Sequence, residues 1–303
     1  MKEQSLEKKR ILITGGTGLL GKALILTAPE NTKIAITHLH EITSDVLNSI
    51  ESYKMSLDDS ESLIRVIKDF KPDVVFHTAG MGSVDEAEKN REYAKKINLE
   101  ILSPLVKSLN ELNALTVFIS SNAVYEGDNP PYSENSEQKS VNYYGELKIQ
   151  AEKFIRENAK QFIIIRPILM YGWPQSGRRD NPFSWIVKKL GNKEPMKLVN
   201  DTITMPLLDR DCAEVCWKSL THLGEDFNVA GSEQITFYDF GKIIAEEFGF
   251  DSNLLTPVGS DAFPTIARRP KDTSYNISKI QRILGINPVG VREGTRYLKG
   301  TKI

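Results

Sequence analysis

The segment that most constrains this chain is the glycine-rich stretch TGGTGLLG at residues 14–21. It follows a short apolar run, RILIT at 10–14, and opens a helical pattern over 18–27. Gly15 permits a tight turn, Gly18 lets the backbone approach a pyrophosphate, and Gly21 allows close helix packing. The helix N-terminus presents unpaired N–H groups and a partial positive charge to phosphates. The spacing therefore predicts a βαβ unit that binds the pyrophosphate of a nicotinamide dinucleotide.

Short apolar runs alternate with helical patterns through the first 172 residues. Strands are predicted at 10–14, 33–37, 72–77, 115–120 and 161–166, and helices at 18–27, 60–70, 85–113 with a break near Arg91, and 144–158. The strands are nearly continuous β-branched runs, which is typical of strands buried on both faces of a parallel sheet. The expected fold class is α/β, a Rossmann-type doubly wound parallel sheet.

The alternation ends after Gly172. Residues 173–206 are predicted to be loop with one helix at 183–190, followed by a helix within 207–223 and a last strand at 227–230. We therefore expect an NAD(P)-binding Rossmann domain over 10–172 and about 207–235. A smaller, mostly helical substrate-binding lobe is expected over about 173–206 and 236–303, and a tail over 1–9.

Composition excludes several classes of function. The formal net charge is −1, so no overall positive field favours nucleic acid or an anionic membrane. No apolar run is long enough to span a bilayer, and the polar N-terminus lacks the apolar core of a signal peptide. Cys212 and Cys216 lie four residues apart and are interpreted as buried thiols on one helix face, not as a disulfide or metal site. We expect a cytoplasmic protein without a bound metal.

The end of the second predicted strand bears on the choice of coenzyme. Sites for NAD often place an acid there to bind the ribose 2′-hydroxyl, but this chain has Thr37, His38, Leu39 and His40. A hydroxyl and an imidazole tolerate a 2′-phosphate better than a carboxylate does. NADP(H) is therefore favoured, and NAD(H) stays open.

A Y-x-x-x-K pair is the strongest catalytic signal. Tyr144 and Lys148 lie one helical turn apart on one face. A neighbouring ammonium favours the phenolate, so Lys148 is expected to lower the pKa of Tyr144, which could then exchange a proton with a carbonyl oxygen. Ser121 ends the fourth predicted strand, at the sheet edge where such folds bind ligands, and could hydrogen-bond the same oxygen.

Taken together, these motifs resemble the extended branch of the short-chain dehydrogenase/reductase superfamily. The matching segments are TGGTGLLG, HTAG at 77–80, Ile97-Asn98, SSNAVYEG at 120–127, NYYGELK at 142–148 and RPILMYG at 166–172. Within that branch, PYSENSEQKSVNYYG at 131–145, MGSVDEAE at 81–88 and ARRPKDTSYNISK at 267–279 are similar to dTDP-4-dehydrorhamnose reductases and their sugar-nucleotide-binding relatives.

The resemblance implies an NAD(P)H-dependent reductase of a keto group on a nucleotide-activated sugar, acting as a homodimer. It implies that Tyr144 is the catalytic acid, that Lys148 is its partner and ribose anchor, and that Ser121 orients the carbonyl. The expected cofactor-binding residues are Gly15, Thr17, Gly18, Leu19, Leu20, Gly21, Thr37, His38, Leu57, Ala79, Gly80, Asn98, Tyr144, Lys148 and Pro167. The expected substrate-binding residues are Met81, Ser121, Asn122, Trp173 and Arg269.

Departures from the family pattern cluster where the substrate is expected. Met81-Gly82 replaces Tyr-Thr, Ser121-Asn122-Ala123 replaces Thr-Asp-Tyr, and Leu169 replaces a Trp. Ser56 stands where an acid usually faces the adenine, and Asn276 replaces an Asp. Loss of polar contacts changes discrimination by large factors, so another 4-keto sugar nucleotide or another carbonyl compound stays open.

Several features have two interpretations. The pairs Arg178-Arg179 and Arg268-Arg269 could bind a substrate diphosphate or lie in solvated loops. Trp173 and Trp185 could stack on a base or fill the core between lobes, whereas Trp217 and His77 are interpreted as structural. The acids Asp58, Asp59 and Glu61 are expected to cap a helix and not to hold a metal.

Two alternative functions stay open. One is a nucleotide-sugar epimerase or dehydratase that uses the same cofactor in a closed cycle. Of these two, the dehydratase is disfavoured, because such enzymes usually have an acid beside the catalytic serine or threonine, where this chain has Asn122 and Glu126. The other is a cofactor-binding regulatory subunit without turnover.

Overall fold

A computed structural model describes residues 9–42, 47 and 49–301. Its centre is a seven-stranded sheet in which every pairing is parallel, with the strand order β3-β2-β1-β4-β5-β6-β11. The strands of this sheet are β1 (Arg10–Thr14), β2 (Lys33–His38), β3 (Glu51–Lys54), β4 (Val74–His77), β5 (Leu115–Ile119), β6 (Phe162–Pro167) and β11 (Asp226–Val229). This arrangement confirms the Rossmann-type doubly wound sheet.

Alternate residues of each central strand face opposite layers of helices. In β1, Ile11 and Ile13 belong to one buried core, and Leu12 belongs to the other. The sheet helices are α1 (Leu19–Leu26), α2 (Ser60–Phe70), α3 (Val84–Lys89), α4 (Arg91–Lys95), α5 (Leu102–Glu111), α6 (Tyr143–Asn158), α8 (Asp209–Lys218) and α10 (Ser278–Leu284). The chain reverses direction across the sheet between β1 and β4, which opens a crevice at their carboxyl ends.

A second cluster of elements has its own buried core. It consists of α7 (Pro182–Gly191), α9 (Phe237–Phe248), α11 (Val291–Gly300) and a parallel pair, β8 (Met196–Val199) and β13 (Leu255–Val258). Phe183, Phe240 and Leu198 are buried in this core. Two further strand pairings lie outside the central sheet. One joins β7 (Met170–Tyr171) to β10 (Leu207–Leu208), and the other joins β9 (Ile203–Thr204) to β12 (Ile235–Thr236).

The division of the chain into two domains stays a prediction. One segment assigned to the substrate-binding lobe packs against the central sheet and not in the second core. Tyr275, Ile280 and Ile286 lie within 236–303, yet their side chains are buried in the core beneath the central sheet. The predicted tail, residues 1–9, lies outside the described residues except for Lys9.

The edge strand β3 and the short strands of the second cluster were not predicted. β3 has the sequence ESYK with mostly exposed side chains, so it lacks the apolar run that marks a buried strand. The predicted helix over 85–113 is instead divided into α3 and α4, which meet at Asn90, a π-helical turn at Lys96–Glu100, and α5. Within the described ranges, no helix combines the length and the apolar character that crossing a membrane requires.

Several minor structural predictions are confirmed. Cys212 and Cys216 are unpaired and buried on α8. Trp217 is buried, packs edge-on against Phe76 at 4.9 Å and donates its indole N–H to Leu24 O at 3.2 Å. Asp59 caps α2 by accepting the backbone N–H of Ser62 at 3.0 Å.

Candidate active site

The glycine loop between β1 and α1 leaves no room for side chains. Gly15 has φ +70°, and a Cβ there would lie 3.0 Å from atoms of Ala79, at the end of β4. A Cβ on Gly21 would lie 2.6 Å from Gly15 O, so the helix contacts the loop backbone directly. Gly18 is the N-cap of α1 and supplies no side-chain cap, so the first turn keeps N–H groups for a ligand. These features fit a bound dinucleotide pyrophosphate.

A cavity of about 390 Å³ opens beside this loop. Nine of the expected cofactor-binding residues line it, namely Gly15, Thr17, Gly18, Leu19, Thr37, His38, Leu57, Ala79 and Gly80. The Thr37 hydroxyl lies 3.2 Å from Gly15 N and accepts its hydrogen bond, which ties the end of β2 to the glycine loop.

A second, larger cavity of about 920 Å³ adjoins the first. The two share Thr78, Ala79 and Gly80 as lining residues, so one elongated ligand or two neighbouring ligands could occupy them. The second cavity brings together further predicted site residues, namely Met81, Asn98, Ser121, Asn122, Tyr144, Lys148, Pro167 and Arg269.

The three predicted catalytic side chains come from two neighbouring elements. Ser121 lies two residues after the end of β5, and its Oγ accepts from Ala123 N at 3.2 Å. Asn142 caps α6 by accepting from Gly145 N at 3.0 Å, which fixes Tyr144 in the first turn of the helix. Lys148 follows one turn later, and its Nζ donates to Ile119 O at 2.9 Å.

Burial shifts the pKa values of the Tyr144 phenol and the Lys148 ammonium on α6. It raises the pKa of Tyr144 to about 12, against the opposing effect of the hydrogen bond to Ser121. Burial also lowers the pKa of Lys148 to about 8, and the charge of Glu152 opposes this shift. The ammonium lies 5.8 Å from the centre of the Tyr144 ring.

The expected lowering of the pKa of Tyr144 is therefore wrong. Desolvation of the phenolate raises the pKa of Tyr144 above its ordinary value of 10.0, although the Lys148 ammonium lies 5.8 Å from the centre of the ring. Tyr144 is thus a neutral phenol at neutral pH and can act as a proton donor.

His77, which ends β4, lies below this site. It is 2 % exposed, its Nδ1 lies 2.9 Å from Thr14 Oγ1, and its ring stacks on Phe118. Burial lowers the pKa of His77 to about 3, with the charge of Lys148 acting in the same direction. A neutral, hydrogen-bonded imidazole agrees with the structural interpretation.

Three predicted ligand contacts do not line either cavity. The side chain of Leu20 is buried in the core beneath the sheet, and Gly21 faces the backbone of the glycine loop. Trp173 packs edge-on against Phe183 at 5.0 Å and donates its indole N–H to Leu298 O at 2.7 Å. Its prediction as a substrate contact is corrected, because the apolar ring completes the second core.

Arg269 lies at the rim of the second cavity, and its charge is already paired. Its two terminal nitrogens donate to the carboxylate of Asp85 at 2.9 and 3.1 Å, and one also donates to Ala267 O at 2.9 Å. Asp85 in turn accepts from Ala267 N at 3.0 Å. Arg269 therefore fastens the segment 264–270 to the start of α3, which is a positioning task distinct from the expected phosphate contact.

Sequence reasoning missed several residues of the first cavity. Among them are Gln175, Arg178 and Arg179, which line it from the loop between β7 and α7. Sequence analysis left Arg178 and Arg179 either as contacts to a substrate diphosphate or as part of a solvated loop. No pattern in the neighbouring residues indicates which cavity the two side chains line. Among the described residues, no group of three or more His, Cys, Asp or Glu side chains is arranged to hold a metal ion.

Comparisons with known proteins cover almost the whole chain. Residues 9–299 match a family model described as the RmlD substrate binding domain. Methionine adenosyltransferase 2 subunit beta of Mus musculus is 27% identical over 307 residues, covering 99% of this chain and 88% of that protein. The dTDP-4-dehydrorhamnose reductase of Escherichia coli is 25% identical over 284 residues, covering 90% of this chain and 91% of that protein.

The solved structures include a similar fold. The crystal structure of dTDP-4-dehydrorhamnose reductase from Bacillus anthracis in complex with NADP has a TM-score of 0.85 to this chain at 23% sequence identity. The match covers 97% of this chain and 100% of that one. At this identity the likeness shows the shared fold.

Proposed function

Because this chain belongs to the RmlD substrate binding domain family, we propose that it is an NAD(P)H-dependent reductase of a keto group on a nucleotide-activated sugar. The observation that carries the proposal is the meeting of Ser121, Tyr144 and Lys148 in the cavity that adjoins the glycine-loop cavity. A carbonyl carbon there would lie between a cofactor site and a proton donor.

Each of the three residues has one task in the proposed reaction. A bound nicotinamide would supply hydride to the ketone carbon. Tyr144 donates its proton to the ketone oxygen, and its raised pKa keeps that proton in place until negative charge develops. Ser121 orients the oxygen through a hydrogen bond. Lys148 provides a positive charge close to the phenol and binds the ribose of the cofactor.

The second cavity supports a polar substrate much larger than a simple ketone. Its volume of about 920 Å³ is at the upper end for small-molecule sites. The segment 260–273 closes one side and contributes Arg268, which can attract a diphosphate, whereas Lys271 is paired with Asp201. Asn122 is bound to this segment through its amide, which donates to Thr273 Oγ1 at 2.6 Å.

The coenzyme proposed is NADP(H), with NAD(H) as the alternative. Support comes from Thr37 and His38, which stand at the end of β2 in place of an acid, and from the complex of a similarly folded protein with NADP. The homodimer and the cytoplasmic location stay predictions.

The test is net consumption of reduced coenzyme. The protein is mixed with NADPH or NADH and with dTDP- or UDP-linked 4-keto sugars, and both coenzyme absorbance and sugar product are followed. Stoichiometric oxidation with formation of the corresponding alcohol is expected. Interconversion of sugars without net oxidation would instead identify an epimerase.

A second candidate is a regulatory subunit that binds the coenzyme without turnover. It is favoured by 27% identity, over 99% of this chain, to a methionine adenosyltransferase subunit. Stable co-purification with a partner enzyme, together with tight coenzyme binding and no oxidation by any keto sugar, would support it over the reductase.

A further inference from the structure

The first cavity has an unusual distribution of charge at the end away from the second cavity. Among its lining residues, which belong to the described part of the chain, there is no Asp or Glu. The ionisable groups at the end of β2 and above it are His38, His40, Arg178 and Arg179. A ribose diol is usually held by a carboxylate, whereas this set of side chains suits a phosphate.

Arg178 and Arg179 belong to the loop that leads into α7 of the second cluster. Their loop begins after β7 and ends at α7, whose residues Phe183 and Ile186 are buried in the second core. Lys22 of α1 donates to Trp173 O at 3.5 Å, and Asn181 donates to Gly172 O at 2.7 Å. Both ends of the loop are therefore held in place beside the cavity.

Within this loop, Arg178 is placed over the end of β2. Its guanidinium donates to His40 O at 3.4 Å and to Glu41 O at 3.2 Å. These carbonyls are neutral acceptors and leave the positive charge uncompensated, while the Glu41 carboxylate is engaged by Lys54. The guanidinium can thus exchange weak acceptors for a doubly charged phosphate monoester.

An unpartnered amide gives independent support for a polar ligand here. Gln175 is 5 % exposed and lines the same cavity. Within the described residues, neither its Nε2 nor its Oε1 has a hydrogen-bond partner. A buried amide without partners costs stability, so its presence indicates a ligand that satisfies it.

We propose that the loop carrying Gln175, Arg178 and Arg179 recognises the coenzyme, with the two arginines binding the 2′-phosphate of NADP(H) and Gln175 hydrogen-bonding to the same nucleotide. Selectivity for the phosphorylated coenzyme then comes mainly from the second lobe, because the end of β2 supplies neither an arginine nor a lysine to the cavity. The inference rests on the proposed cofactor site and adds the residues that select the coenzyme.

The test measures binding by isothermal titration without any substrate. Wild type, Arg178→Ala and the double variant Arg178→Ala/Arg179→Ala are titrated with NADPH, NADH, adenosine 2′,5′-bisphosphate and adenosine 5′-monophosphate. Arg282→Ala, an exposed arginine at the end of α10, is the charge-matched control. The first variant should weaken NADPH binding about 10-fold and the double variant up to about 100-fold, with NADH and the monophosphate changed less than about threefold.

Outcomes separate this inference from the proposed function. Equal losses for NADPH and NADH, or no loss for either, overturn the arginine assignment while the coenzyme site stands. Failure of wild type to bind either coenzyme overturns both. A steeper salt dependence for NADPH than for NADH, lost in the double variant, supports the assignment.

Gln175→Leu tests the amide separately. The leucine removes the unsatisfied amide, so the ligand-free variant should unfold at the same or a higher temperature than wild type. Its affinity for NADPH should fall about tenfold. A variant that loses thermal stability but keeps its affinity would show that Gln175 only supports the fold.

Discussion

Replacement of Tyr144 by Phe is the most direct test of the proposed chemistry. The change removes one oxygen from a side chain that is 8 % exposed and keeps the ring that contacts its neighbours. Burial holds the phenol neutral, with a pKa of about 12, so the lost group is a proton donor and not an anion. The fold and the coenzyme cavity should be unaffected.

The expected loss follows from what a positioned acid contributes. General acid catalysis supplies about 10²- to 10⁴-fold in rate, or about 3–5 kcal/mol of transition-state stabilisation. Without the phenol, the hydroxyl of Ser121 and water are poorer donors, and the Lys148 ammonium is engaged by Ile119 O at 2.9 Å. We therefore expect turnover to fall at least about 100-fold in Tyr144→Phe, with the affinity for NADPH within about twofold of wild type.

The chain offers a matched control in the adjacent residue. Tyr143 is the first residue of α6, and its hydroxyl donates to Arg91 O at 3.3 Å, on the opposite side from Lys148. Tyr143→Phe makes the same chemical change and should leave turnover within about twofold, since surface changes of this kind cost little. Coenzyme oxidation under saturating conditions, with binding measured by titration, compares both variants with wild type.

The reasoning is refuted if Tyr144→Phe keeps more than about a tenth of wild-type turnover while it binds NADPH normally. That result would assign the proton to another group. Equal losses in both variants would point to damage at the start of α6.

Three further predictions concern stability and substrate binding. The pKa of His77 is lowered from 6.5 to about 3, so between pH 7 and pH 5 its imidazole binds a proton mainly in the unfolded state. The free energy of unfolding should therefore fall by about 2 kcal/mol over this range. Urea unfolding of His77→Asn at both pH values should lack this fall. Glu152→Ala leaves the 1 % exposed Arg166 without its bidentate partner at 2.7 and 2.8 Å and should cost about 3–5 kcal/mol in the same assay; a loss below about 1 kcal/mol would contradict this. Asp85→Ala releases Arg269, so the KM for the sugar should rise several-fold at unchanged coenzyme affinity.

The patterns that identified the fold are local. The glycine spacing at 14–21 and the β-branched runs reflect interactions between residues a few positions apart, and they predicted the doubly wound parallel sheet. The edge strand β3 was missed because its sequence, ESYK, has no apolar run that would mark it as a buried strand.

Within the site, residue spacing and strand ends identify Ser121, Tyr144 and Lys148 as the groups available for chemistry, and the structure brings them to one cavity. Their protonation follows from tertiary packing, because a pKa depends on burial, and burial reverses the shift expected for Tyr144. The tertiary structure also pairs Arg269 with Asp85 and places the Arg178 guanidinium beside the end of β2. Such contacts join residues more than a hundred positions apart, so they depend on how the two lobes pack together, and no local pattern in the chain encodes that.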